Sequence, residues 1–183
     1  MDCIVLDNAK TNAGMKFLKE ICHDPDIICE FYKFKKTARA ILFNSENKIA
    51  LQHAINRNWH ELPGGRLESR ENLITGLKRE CCEEVGAEID VVDTVGMTLE
   101  IRNTDQVVKL NHCFVANIVG NLAGRELTDE EIEDGLVLEF HTLEEAIELL
   151  SNDAPDTPTG RCHIESELAF LIEYKNKAKN KNF

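Results

Sequence analysis

The sequence predicts a single α/β domain. Apolar runs of strand length recur at 38–43, 48–53, 88–100 and 107–119, and segments with helical spacing lie between and after them, at 73–85, 142–150 and 163–179. The chain has 183 residues, 43% of them hydrophobic and 30% charged. That is enough for one full core and too little for two.

Composition narrows the class of function. Net charge is −12, which repels nucleic acid and anionic membrane surfaces. It also repels a diphosphate, so an enzyme acting on one needs a cation at its site. No apolar run reaches transmembrane length, and the opening MDCIVLDNAK lacks the basic start and apolar core of a signal peptide. The seven cysteines (Cys3, Cys22, Cys29, Cys81, Cys82, Cys113 and Cys162) form no CxxC pair, and the adjacent Cys81 and Cys82 suit neither a metal clip nor an ordinary disulfide. Reduced thiols in a cytoplasm are the expectation. The histidines (His23, His53, His60, His112, His141 and His163) show no HxxxH or HExxH spacing, so each is expected to be structural or exposed rather than a zinc ligand.

Residues 1–30 read as an N-terminal extension to the domain at 31–183. Within it, Asn12-Ala13-Gly14 marks a turn, Met15–Cys22 is a short helix or strand, and Asp24-Pro25-Asp26 breaks it. Such an extension packs on the core or on a partner chain, and the partner reading predicts a homodimer.

Phe31–Lys35 alternates as a strand, Ala38–Phe43 is a buried-strand run, and a turn at Asn44–Asn47 leads to a returning strand at Lys48–His53, a hairpin. Trp59–Leu62 is a short strand feeding the turn Leu62-Pro63-Gly64-Gly65. Trp59 either stacks on a base at the mouth of this turn or is a core or rim aromatic. Two long strands, 88–100 and 107–119, flank a polar turn at 101–106. Arg102 there is either a phosphate contact through its guanidinium fork or a surface arginine. Leu127–Gly135 is acidic and turn-like, and 137–141 is a strand. Thr142 caps the next helix, with Glu145 three residues on as in a capping box. After a loop at 151–160, the 163–179 helix is amphipathic, with Ile164, Leu168, Leu171 and Ile172 on its buried face.

The stretch that carries chemistry is GRLESRENLITGLKRECCEEVGA, Gly65–Ala87. Leu73, Leu77, Cys81 and Val85 make one apolar helical stripe, and Gly86 stands where the helix stops. Gly76, mid-helix, fits close packing against a neighbouring strand. Glu80, Glu83 and Glu84 stand at i, i+3 and i+4 and crowd like charges on one face. A hard divalent cation reverses that repulsion, because Mg²⁺ and Mn²⁺ take oxygen ligands. A solvated acidic face is the alternative for such a helix alone.

The surrounding positions decide between the two. Glu71 follows Gly65 after five residues, Arg79-Glu80 follow after seven more, and then come Cys81, Cys82, Glu83-Glu84, Val85, Gly86 and Ala87. In this arrangement the segment resembles the Nudix box of the Nudix hydrolases, with every defining position filled. The resemblance is closest over about residues 36–150, and it implies an α/β/α sandwich around a mixed β-sheet. It implies Mg²⁺- or Mn²⁺-dependent hydrolysis of the diphosphate linkage of a nucleoside diphosphate derivative. Glu80, Glu83 and Glu84 match the metal-ligating and catalytic glutamates. Gly64 and Gly65 form the turn that meets metal or phosphate, Glu71 matches the first box glutamate, and Arg79 ties helix to loop. One more acidic ligand often comes from a later loop, here Glu130, Glu131 or Glu133, with Glu131 preferred. No proline lies between Pro63 and Pro155 to match ADP-ribose hydrolases, and the NADH and coenzyme A motifs are absent. The substrate is therefore a nucleotide of open class: a nucleoside triphosphate, ADP-ribose or a nucleotide sugar. A non-catalytic nucleotide-binding domain and a metal-dependent isoprenoid diphosphate isomerase are the alternatives on the same fold.

Overall fold

Strands apolar on both faces need helices on both sides of their sheet, and the chain is built that way. The computed structural model describes residues 14–27 and 29–180. In chain order the elements are β1 (Phe17–His23), β2 (Lys33–Phe43), β3 (Ile49–Ala54), β4 (Trp59–Glu61), β5 (Gly64–Arg66) and α1 (Leu73–Val85). They continue with β6 (Glu88–Arg102), β7 (Val107–Val119), α2 (Asp129–Glu133), β8 (Leu136–His141), α3 (Leu143–Asn152) and α4 (Pro158–Asn180).

One mixed sheet runs β1-β6-β7-β2-β3-β4, with β5 paired to β2 and β8 paired to β3. On one face α1 buries Leu73, Leu77, Cys81 and Val85 against Ala38, Ala40, Leu42, Ala50, Phe114 and Ala116. On the other, Ala146 and Leu150 of α3 and Phe170 and Leu171 of α4 meet Ile41, Phe43, Ile49, Leu51 and Val115. This is the three-layer α/β architecture expected from the sequence. Among the described residues, no helix is long and apolar enough to cross a membrane.

Several elements differ from their sequence reading. Residues 33–43 are one continuous strand, because all eleven pair with β7 in parallel register. Residues 17–23 are a strand parallel to β6, which settles the helix-or-strand reading of 15–22; the turn read at 12–14 lies mostly outside the described residues. Leu127–Gly135 holds a helical turn, α2, closed by a capping box between Thr128 and Glu131. The same T-x-x-E signal was visible there as at Thr142, whose capping box forms as expected. On α4, Phe170 is buried while Ile172 is 47% exposed. A Cβ on Gly76 would meet the loop residues Glu71 and Leu67. A loop, not a strand, presses on this part of α1.

The expected hairpin of β2 and β3 is a fork. The two strands touch only at Phe43↔Ile49. Beyond that point β2 takes β5 as its neighbour (Arg39↔Gly64) and β3 takes β4 (His53↔His60). Leu62 and Pro63 cross from one arm to the other, and the Ala40 N–H donates to the Pro63 carbonyl. The glycine turn and α1 sit at this fork.

Candidate active site

The Asn72 side chain caps α1 by accepting from the Thr75 N–H, and Gly86 ends it in a left-handed conformation. Fixed at both ends, the helix presents Glu80 and Glu84 to the turn at Gly64-Gly65. The Gly64 N–H donates to Glu84 Oε2 at 2.8 Å. Gly64 has φ +123°, and a Cβ there would lie 2.2 Å from the Ala38 carbonyl oxygen, so only glycine serves. At Gly65 a Cβ would stand 2.4 Å from Glu80 Oε2, so the bare backbone lets this carboxylate close in.

Burial gives the three glutamates different characters. Glu84 is 4% exposed, whereas the Glu83 side chain is 39% exposed. Burial pushes the Glu84 carboxyl well above its usual range; Arg39 opposes this and the Glu61 charge adds to it. Burial likewise raises Glu80, against the pull of Arg79.

Arg39 is the hub of the fork. It donates to the Leu62 and Gly64 carbonyls, lies 3.1 Å from Glu61 Oε2 and 3.4 Å from Glu167 Oε1. Burial works against its charge, yet the carboxylates of Glu61, Glu167, Glu84 and Glu80 raise its pKa overall. Burial also opposes ionisation of Glu61, but Arg39 and His163 hold it at about 2. Arg39, Glu61 and Glu167 had no part in the sequence reading. The signal was a lone charged residue inside the apolar run Ala38–Phe43, which has to be paired if it is buried.

Arg79 ties helix to loop as expected. Its Nε is 3.1 Å from Glu71 Oε1, Nη2 is 2.9 Å from Glu80 and Nη1 is 3.0 Å from Glu83. A further hydrogen bond goes to the Arg66 carbonyl. The bond from Arg79 lowers the Glu71 carboxyl below its usual range.

Among the described residues, Glu131, Trp59 and Arg102 make no hydrogen bond or ion pair with Glu80, Glu83 or Glu84. Glu131 is exposed, and its carboxylate accepts the Thr128 N–H at 2.7 Å. Trp59 packs on α4, its ring centroid 6.1 Å from that of His163, and a Cβ at Gly160 would touch it at 2.7 Å. Arg102 is 8% exposed at the end of β6, with Nε 3.4 Å from Asp105.

Arg102 belongs to a row of cations on the α4 side of the sheet. Register sets Lys35 of β2 opposite Lys109 of β7, and Arg66 of β5 opposite Thr37, two residues beyond Lys35. Burial and then the charges of Arg66, Arg102, Lys109 and Lys33 lower the Lys35 pKa. Among the described residues, Lys33, Lys35 and Arg66 make no ion pair, while Lys109 meets Glu100 at 3.3 Å. In a chain of net charge −12, this row is a local reversal of sign. Its first member, Arg66, follows Gly65 on β5 and faces the other side of the sheet.

The donor set at the turn fits a hard divalent cation. Three carboxylates and a close-approaching glycine backbone supply oxygen only. Burial raises the Glu80 and Glu84 carboxyls against the pull of Arg79 and Arg39, so their ionised forms are poorly solvated there. Glu80, Glu83, Glu84 and the Gly65 carbonyl are the groups that would hold the ion.

A family model described as NUDIX domain matches residues 33–160. Among solved structures, the E. coli ORF135 protein is 22% identical with a TM-score of 0.57, covering 79% of this chain and 91% of that one. A NUDIX hydrolase from Nitrosomonas europaea is 21% identical with a TM-score of 0.57, covering 79% and 90%. The MutT protein from Methanosarcina mazei Go1 is 17% identical with a TM-score of 0.56, covering 83% and 99%. No curated protein matches the chain by sequence. With the domain match spanning most of its length and the box helix folded against its glycine turn, the chain belongs to the Nudix hydrolase family.

Proposed function

We propose that the chain hydrolyses the diphosphate linkage of a nucleoside diphosphate derivative with Mg²⁺ or Mn²⁺ held by Glu80, Glu83, Glu84 and the Gly65 carbonyl. The observation that carries this is the convergence of Glu80 and Glu84 on the Gly64-Gly65 turn. When bound, the divalent ion supplies neutralisation of the diphosphate charge and polarisation of phosphorus.

The protein's own groups do the rest. Arg39 fixes the turn by holding the Leu62 and Gly64 carbonyls. Arg79 holds Glu80 and Glu83 in place on the helix face. Glu84 takes the proton of the attacking water. Burial raises the proton affinity of its carboxyl above that of an ordinary glutamate, the direction that favours a general base. Arg66, Lys35 and Arg102 receive the anionic part of the substrate, which favours one rich in phosphate, such as a nucleoside triphosphate. Gly64 and Gly65 line the phosphate end, and Trp59, part-exposed beside α4, is the aromatic available to a base. Glu131 would serve as a ligand through Oε1, its other oxygen being held by the Thr128 N–H. The free thiols among the described residues fit a cytoplasmic setting. A homodimer through the N-terminal segment is read out by sedimentation; a monomer removes it.

The test is a panel of nucleoside triphosphates, ADP-ribose, dinucleoside polyphosphates and nucleotide sugars with Mg²⁺ or Mn²⁺, reading released phosphate and pyrophosphate. Turnover of one class, abolished in Glu84→Gln, is expected. Silence across the panel with metal binding intact would overturn the reading.

A further inference from the structure

A second polar cluster lies on the outer arm of the fork, away from the box. His53 on β3 and His60 on β4 are register partners, and their rings stack with centroids 4.1 Å apart. Glu139 on β8 pairs opposite Leu51, two residues before His53, and so points to the same face. One ligand atom from each of His53, His60 and Glu139 lies within 4.8 Å of the other two. His141 joins at the rim, its Nε2 2.9 Å from Glu139 Oε2.

We propose that His53, His60 and Glu139, with the fourth position left to water, form a binding site for Zn²⁺ or a similar borderline transition ion. The arrangement of His60 argues for this. Asp153 accepts its Nδ1–H at 2.9 Å and also its backbone N–H. That fixes the tautomer with the Nε2 lone pair turned toward Glu139, 3.9 Å away. A carboxylate that orients a histidine from behind is the usual support of a metal ligand. His53 Nδ1 stands 3.4 Å from Glu139. These gaps are long for direct hydrogen bonds and close to the separation of about 3.3 Å between ligand atoms around a tetrahedral zinc. Imidazole nitrogen with one carboxylate selects zinc-like ions over Mg²⁺, so the cluster is chemically distinct from the all-oxygen site at the box. Bound there, the ion would brace β3, β4 and β8 to one another, behind Glu61 and the glycine turn.

The test is titration of the tag-free, full-length chain with Zn²⁺ in excess Mg²⁺, by calorimetry, with Co²⁺ and its visible absorption as a second probe. One saturable Zn²⁺ per chain and a tetrahedral Co²⁺ spectrum are expected. His53→Gln and Glu139→Gln should each weaken Zn²⁺ binding at least ~100-fold, and Asp153→Asn about 10- to 100-fold. Glu83→Gln, at the box, should leave it unchanged. No saturable binding by the wild type would overturn the proposal. So would affinity retained in folded His53→Gln, or lost only in Glu83→Gln. None of these readouts depends on hydrolysis, so this site and the proposed activity stand or fall separately.

Discussion

The two arms of the fork carry polar clusters of opposite construction. On the β2–β5 arm, carboxylates gather around a glycine turn and are balanced by one buried guanidinium, Arg39. On the β3–β4 arm, imidazoles gather around one carboxylate, Glu139, oriented from behind by Asp153. The first offers only oxygen. The second offers nitrogen lone pairs, and its one carboxylate has histidine partners. Charge and donor type, not proximity in the fold, decide what each can hold.

The largest effect is expected at Arg39. Arg39→Met leaves Glu61, Glu84 and Glu167 without their shared counter-ion, and a stability loss of about 3–5 kcal/mol is expected. A shifted denaturant midpoint at unchanged slope checks this. The next largest effect is catalytic. Glu84→Gln keeps the acceptor for the Gly64 N–H and removes the charge, so the fold persists while kcat drops by at least ~100-fold. Circular dichroism beside steady-state rates separates the two. Substituting the cation row is milder: Lys35→Ala or Arg66→Ala should each raise KM about tenfold with kcat little changed. A fall in kcat alone would remove these residues from substrate binding.

The smallest effect is in pH. Glu80 and Glu84 have folded pKa values raised above the unfolded value. The native state therefore holds protons that the unfolded chain releases, and metal-free stability falls as pH rises past about 4.5. Glu61, at about 2 when folded, adds slope only below that window. Mg²⁺ binds the ionised carboxylates, so the Tm gain from saturating Mg²⁺ should be larger at about pH 8 than at about pH 5. Equal gains at both would contradict the carboxylate shifts.

The same contrast explains what the sequence made legible. Glu80, Glu83 and Glu84 share a face through the 3.6-residue period of a single helix, and Arg79 and Glu71 lie within one loop of them. Local spacing was sufficient there. Arg39 meets Glu61 and Glu167 only because β2 leaves β3 after Phe43, and no local pattern announces that fork. His53 and Glu139 are 86 positions apart and meet through the β3–β8 register, so their spacing along the chain carried no metal signature. Glu131 is the converse. Its acidic loop suggested a ligand, while the T-x-x-E spacing already described the capping box that it forms.

Whether the carboxylate turn breaks a phosphoanhydride bond is read by ³¹P NMR of substrate incubated in ¹⁸O-labelled water with Mg²⁺, for wild type and Glu84→Gln. Cleaved anhydride with label in one phosphate-containing product is expected in the wild type and not in the variant. Phosphates left intact while the organic moiety rearranges, or equal cleavage by both proteins, would contradict it.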